Sequence, residues 1–309
     1  MRDSRKLALL KQLEKHNIKT CQIHHGGKNF FEYARKEALS KDILPINSCT
    51  KSITSLLVGI CLELGYFDDV EQAFWPLLDV QECLQMDPLM KSITIHQLLT
   101  MTSGIKWDES KDWHIFKEDF EDNVLSTILA KEVTSNLNGY MNYSSADSYL
   151  LSALIQKVSG KTTEAFAKEY LFKALGITAF YWPKKQGINL GSHGMLMKAD
   201  DLMKIGIMYL GGGIYDKKQV LSKNWIDRST QAYSKATRVQ GGYGYHWWVM
   251  DDMITPTQSI SFYFAMGYGG QVLIVVPSLE LVTVMTRNID KNTNRSIEIF
   301  RHYILKEFI

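Results

Sequence analysis

Strand-like segments near both ends of the chain, with helical periodicity between them, predict an α/β protein of the α+β kind. The expected architecture is an antiparallel β-sheet flanked by helices, with a mostly helical lobe inserted. At 309 residues the chain suits a single domain over 1–309. Its sheet lobe is expected at about 1–45 and 190–309, and its helical lobe at about 46–189.

The opening segment, MRDSRKLALLKQLEKH, alternates charged and apolar residues as an amphipathic helix does. TCQIHH and NFFEYA then read as two short strands, joined at Gly26-Gly27, which supply the positive φ of a tight hairpin turn. From Ser48 to about Gly176 the pattern is helical. The run after Lys51 is apolar on nearly all sides, and Tyr149, Leu150, Leu154, Ile155 and Val158 recur at helical spacing, with Gly160 as a stop. Tyr243 to Val249, Ser259 to Phe264, Val272 to Val276 and Leu281 to Thr286 are rich in aromatic and β-branched residues and read as strands. A terminal helix is expected from about Thr293.

Composition narrows the partners. With 45% hydrophobic and 22% charged residues the chain is an ordinary soluble globular protein. Thirty-five Lys and Arg against thirty-three Asp and Glu leave +2, and no stretch gathers the cations into a patch, so no nucleic-acid partner is expected. Cys21, Cys49, Cys61 and Cys83 form no CxxC pair and have no histidine at zinc-ligand spacing. They are expected to be buried free thiols, with no metal and no cofactor. The N-terminus has no signal-peptide core. The longest nearly apolar run, Ile53 to Leu62, is about half the roughly 20 residues of a membrane span. These features predict a cytoplasmic protein without a membrane partner, and they leave its oligomeric state open.

The segment INSCTKSITSLLVGI carries the first chemistry. Ser48 precedes an apolar helix, and Lys51 at i+3 lies one turn on along the same face. A serine hydroxyl needs a base to become a nucleophile, and an ordinary lysine is protonated at neutral pH. Desolvation by an apolar helix favours the neutral amine that can act as that base. Replacing Lys51 by Ala is then expected to cost activity and little stability. SxxK also occurs at Ser103 to Lys106, where Gly104 suggests a turn that need not put both side chains on one face.

Tyr143-Ser144-Ser145 precedes a helix, where a tyrosine near Lys51 can relay protons and Ser145 can also be only an N-cap. Ala265-Met266-Gly267-Tyr268-Gly269-Gly270-Gln271 lies between two strands. Its glycines admit a ligand close to the backbone, so that one amide, with that of Ser48, can form an oxyanion hole. Each segment also has a plain structural account: a serine before a helix, a packed aromatic, a glycine-rich hairpin. Trp107, Trp113 and Trp182 lie in expected loops, and Tyr243 to Trp248 reads as a buried strand with a possible pocket face. GxSxG, HExxH, GxxxxGK[ST] and GxGxxG are absent.

In order, Ser48-Cys49-Thr50-Lys51, Leu98 to Gly104, Tyr143-Ser144-Ser145, His193-Gly194-Met195-Leu196 and Gly267 to Gln271 resemble the serine β-lactamase and penicillin-binding-protein superfamily over about residues 20 to 305. The likeness is greatest to its class C β-lactamase-like branch of esterases and amide hydrolases. It implies a β-lactamase/transpeptidase-like fold with the site between sheet and helical lobe. It also implies Ser48 as acylated nucleophile, Lys51 as base, Tyr143 as proton relay, and the N–H groups of Ser48 and Tyr268 as oxyanion hole.

Two motifs depart from the family. Tyr-x-Asn reads Tyr-Ser-Ser, placing Ser145 where an amide binds substrate, and Lys-Thr-Gly or His-x-Gly reads Ala265-Met266-Gly267, which removes a cation. Affinity for a substrate carboxylate should fall. The expected function is hydrolysis of a small-molecule carboxylic ester or amide. The alternatives are a β-lactamase or D-alanyl carboxypeptidase-type penicillin-binding protein, and a catalytically weak ligand-binding descendant.

Overall fold

The computed structural model describes residues 2–79, 86–135, 137–236, 241–254, 259–289 and 292–309. Its largest sheet is antiparallel and draws strands from both ends of the chain. They are β1 (Ile18–His25), β2 (Lys28–Ala34), β3 (Ser234–Lys235), β4 (Gly242–Tyr243), β5 (Trp248–Ile254), β6 (Ser259–Gly267), β7 (Gln271–Val276) and β8 (Leu281–Arg287). Their spatial order is β3-β4-β5-β6-β7-β8-β1-β2. β1 therefore closes onto β8, with Ile23 opposite Thr283, and the hydroxyls of Thr20 and Thr286 bond across the pair at 2.6 Å.

Side chains alternate between the two faces of a strand, and here both faces are covered, so β7 and β8 are buried throughout. Leu273, Val275, Val282 and Val284 join the larger core with the inserted helices. Val272, Ile274, Leu281 and Met285 join a second core under α1 (Asp3–Lys15) and the C-terminal helix. This is why these strands read as continuous apolar runs. Cys21, Cys49 and Cys61 are buried and free, as expected; Cys83 lies outside the described residues.

α2 (Thr50–Glu63) is buried at every residue from Thr50 to Cys61, and α3 (Ser145–Ser159) packs on it and ends at Gly160 with φ of 66°. No helix among the described residues is long and apolar enough to cross a membrane.

One expected strand is a hairpin instead. Tyr243 ends β4, Trp248 begins β5 opposite it, and Gly244 to Trp247 make the turn, with the Gly244 N–H donating to Trp247 O at 2.8 Å. His246 takes φ of 59° in that turn, and a Cβ on Gly244 would lie 2.4 Å from Ser229 O. Aromatic content marked the segment as extended, whereas close packing and a positive φ reverse it.

α4 (Ala199–Leu210) crosses β7, β8 and β1 through Gly206. A Cβ there would lie 2.5 Å from Val282 Cγ1 and 2.6 Å from Leu273 Cδ1. Gly206→Val should lower unfolding stability by about 1–3 kcal/mol through overpacking, in a denaturant titration with unchanged slope. A variant as stable as the parent would show that helix and sheet separate there at no cost.

Candidate active site

Ser48 does not sit on α2 itself. It occupies a 3₁₀ turn, Asn47–Cys49, that runs into the helix, and three residues per turn still aligns it with Lys51. Asn47 enters the turn at φ of 47°, a left-handed conformation that asparagine tolerates well. The turn faces a cleft of about 700 Å³, lined by Ser48, Glu109, Tyr143, His193, Gly267 and Tyr268 among others.

Lys51 is 1% exposed and lies behind the cleft wall. Its Nζ donates to Ser192 O at 3.0 Å and to Ser145 Oγ at 3.3 Å, and stands 4.8 Å from the centroid of the Tyr143 ring. A buried ammonium is costly without such partners, and an aromatic face supplies some of the missing hydration. Lys51 meets the ring of Tyr143 in this arrangement, and that ring stacks on Trp248 at 5.8 Å. Lys51 is also among the largest fully buried side chains. The expectation that it adds little to packing is therefore corrected: removing it leaves a cavity and an unpaired carbonyl.

The end of β6 meets the Ser48 turn backbone to backbone. A Cβ on Gly267 would lie 2.3 Å from Ile46 O and 3.1 Å from Ser48 N. Asn47 Nδ2 donates to Tyr268 O at 2.6 Å, pinning the residue after Gly267 to the same turn. Ser48 and Tyr268 are thus brought together at the cleft, with the Tyr268 side chain exposed at its rim.

A family model described as Beta-lactamase matches residues 23–305. The chain belongs to the β-lactamase family. It is 23% identical over 266 residues to the 6-aminohexanoate-dimer hydrolase of Paenarthrobacter ureafaciens, covering 77% of this chain and 67% of that protein. Its fold is similar to that of the octameric penicillin-binding protein homologue of Pyrococcus abyssi, with TM-score 0.78 and 18% identity, over 98% of this chain and 77% of the other. It is also similar to the class C β-lactamase of Rhodobacter sphaeroides, with TM-score 0.72 and 16% identity, over 98% and 100% of the two chains. The protein is thus a β-lactamase-family hydrolase.

Two expected substrate-binding residues of this family member do not face the cleft. Ala265 is 1% exposed and belongs to the larger core, because alternation along β6 sends it to the opposite face from Met266. Ser145 is fully buried, and its hydroxyl accepts from Lys51 and donates to Glu109 Oε1 at 2.5 Å. Met266 and Gly267 do line the cleft. The second SxxK pair is split: Ser103 donates to buried Asp147 at 2.8 Å, while Lys106 turns outward to pair with Glu132.

Glu109 is the residue that sequence reasoning did not single out. Its Oε2 accepts from the Ser145 N–H at 3.0 Å and from Trp107 Nε1 at 2.6 Å, and it is the one carboxylate among the described cleft residues. It follows Trp107-Asp108 in a loop of mixed charge, where no periodicity distinguishes it from a solvated acid.

His193, from the His-Gly motif, packs against Trp113 at 4.1 Å, with Ser192 Oγ 2.6 Å from its Nδ1. Burial, and after it the Lys51 charge, lower its pKa to about 3. Burial and Lys51 do the same to His246, whose Nε2 lies 3.0 Å from Ser148 Oγ. Both rings should stay uncharged, with flat NMR shifts, from pH 5 to 8; an inflection near 6.5 in either would show a hydrated ring. Each takes a proton near pH 6.5 only when unfolded, so each reduces stability as pH falls from about 6.5 towards 3.

Proposed function

We propose that the protein hydrolyses small carboxylic esters or amides through an acyl-enzyme on Ser48. The observation that carries this reading is Lys51, buried one turn from a cleft-facing serine and held at Nζ by a carbonyl, a hydroxyl and an aromatic ring. In the proposed reaction Lys51 acts as the neutral amine, after giving up a proton to solvent: Ser48 Oγ attacks the substrate carbonyl as its own proton passes to that amine. Tyr143 relays that proton to the leaving group. The N–H groups of Ser48 and Tyr268 receive the developing oxyanion, and water, activated by the same groups, releases the acid.

The Paenarthrobacter relative is named for hydrolysis of a 6-aminohexanoate dimer, which supports a small amide as substrate. Glu109 and the neutral His193, both lining the cleft, and Ala265 in place of a cation all disfavour a substrate carboxylate at the reacting end. These features support esters and amides with no charge beside the scissile bond over penicillins.

A fluorophosphonate probe and a fluorescent penicillin, each followed by adduct mapping, test this directly. The expected result is an adduct on Ser48 from the phosphonate alone. Labelling by both would restore the penicillin reading, and labelling by neither, with p-nitrophenyl esters left intact, would sink the enzyme claim. Ser48→Ala should lower p-nitrophenyl ester turnover by at least about 10³-fold. Lys51→Met, which keeps most of the buried volume, should lower it by about 10²–10⁴-fold with the fold intact by circular dichroism. Near-normal rates in Lys51→Met would move the base elsewhere.

Gly267→Ala tests the oxyanion role separately. Its methyl would force β6 away from the Ser48 turn, and kcat should fall by about 10²-fold with the fold kept. Unchanged kcat would exclude that pair of amides.

A further inference from the structure

We infer that Asp147 is the positioning residue of the Tyr143–Ser145 turn, and that it does this as a neutral carboxylic acid. The inference rests on the reading of Lys51 and Tyr143 given above.

Asp147 is the third residue of α3 and is fully buried. Its Oδ1 accepts from Ser103 Oγ at 2.8 Å and from Ser144 Oγ at 3.0 Å, while its own N–H donates to Ser144 Oγ at 3.1 Å. Ser103 Oγ in turn accepts from the Ile105 N–H at 3.3 Å, and the Ser144 N–H reaches Met101 Sδ at 3.3 Å. One carboxyl oxygen thereby ties the 101–105 turn to the 143–145 turn. Ser144 lies between the two side chains that receive Lys51: the Tyr143 ring and the Ser145 hydroxyl. A shift at Ser144 moves both. Asp147 does not line the cleft, and its side-chain hydrogen bonds run to Ser103 and Ser144 rather than to Lys51, so its geometric influence on the site passes through this turn.

The other carboxyl oxygen, Oδ2, is buried without a hydrogen-bond partner. An anion would leave charge on an oxygen with no donor, which costs far more than an unpaired neutral group. Burial accordingly raises the Asp147 pKa to about 8; the hydroxyls of Ser103 and Ser144 and the charge of Lys51 act against it, and Glu109 adds to it. Tyr243, close enough to interact with Asp147 electrostatically, is held protonated chiefly by its own burial. The N-terminus of α3 would favour an anion, and burial outweighs it here.

The test compares Asp147→Asn, Asp147→Ala and the parent on a p-nitrophenyl ester from pH 6 to 10. Asn keeps the acceptor oxygen and cannot ionise; Ala removes the acceptor of two hydroxyl protons. The parent is expected to lose kcat through an inflection near pH 8. Asn should rescue kcat at pH 7 to within about 3-fold of the parent and lack that inflection, while Ala loses about 10-fold or more in kcat with KM little changed. If Ala fails to fold, the Asn profile decides. Asn as impaired as Ala at pH 7, or retaining the alkaline inflection, would overturn the proposal, as would Ala at the parent's rate with the parent's profile. Fluorophosphonate labelling of the parent separates the two levels: an unlabelled parent means that the hydrolase reading has failed, whereas a labelled parent with a deviant Asn profile means that only the role of Asp147 has.

Discussion

A lysine side chain held out of water shapes this molecule around itself. Taking an ammonium from solvent costs several kcal/mol even after relaxation, so a fold that buries Lys51 must return most of that through fixed partners. Two segments distant from it in the chain supply them: the Ser192 carbonyl, and the 143–145 turn with the Ser145 hydroxyl and the face of Tyr143. Each is fixed in turn by something else. Ser145 leans on Glu109, Tyr143 stacks on Trp248, and the turn that joins them is tied down by Asp147. The polar layer behind the cleft is therefore one connected network, in which a partly satisfied member would cost more than an apolar replacement.

The second constraint is the close approach of two backbones. Gly267 lets the end of β6 touch the 46–48 turn, and the Asn47 amide clasps the Tyr268 carbonyl across the gap. A side chain in that gap would separate the serine from the strand that faces it. The left-handed φ at Asn47 belongs to the same arrangement, since it tips the 3₁₀ turn so that Ser48 enters the cleft before α2 goes into the core. Unusual backbone of this kind persists where the surrounding packing over-determines it.

Charge then sets what the cleft accepts. Glu109 is its one carboxylate among the described residues, His193 is kept neutral, and Ala265, on the strand that flanks the cleft, is turned into the core. In the reading proposed above, these features move the cleft away from substrates that are anionic at the reacting end.

By itself the sequence determined the antiparallel sheet from both chain ends, the buried α2, the Ser48 to Lys51 register and the glycine at 267, because periodicity, β-branched runs and turn glycines are local properties. It could not distinguish the two SxxK pairs by spacing; the fold did, sending Ser103 to Asp147 and Lys106 to solvent. Nor could it turn Tyr243 to Trp248 into a hairpin, since the packing of Gly244 against Ser229 O and the positive φ of His246 are imposed from outside the segment. The engagement of Ser145 by Lys51, the carboxylate of Glu109 and the unpaired oxygen of Asp147 belong to tertiary structure for the same reason. Whether a polar side chain is solvated, paired or stranded depends on residues tens of positions away, and only the folded chain brings those residues within hydrogen-bonding distance.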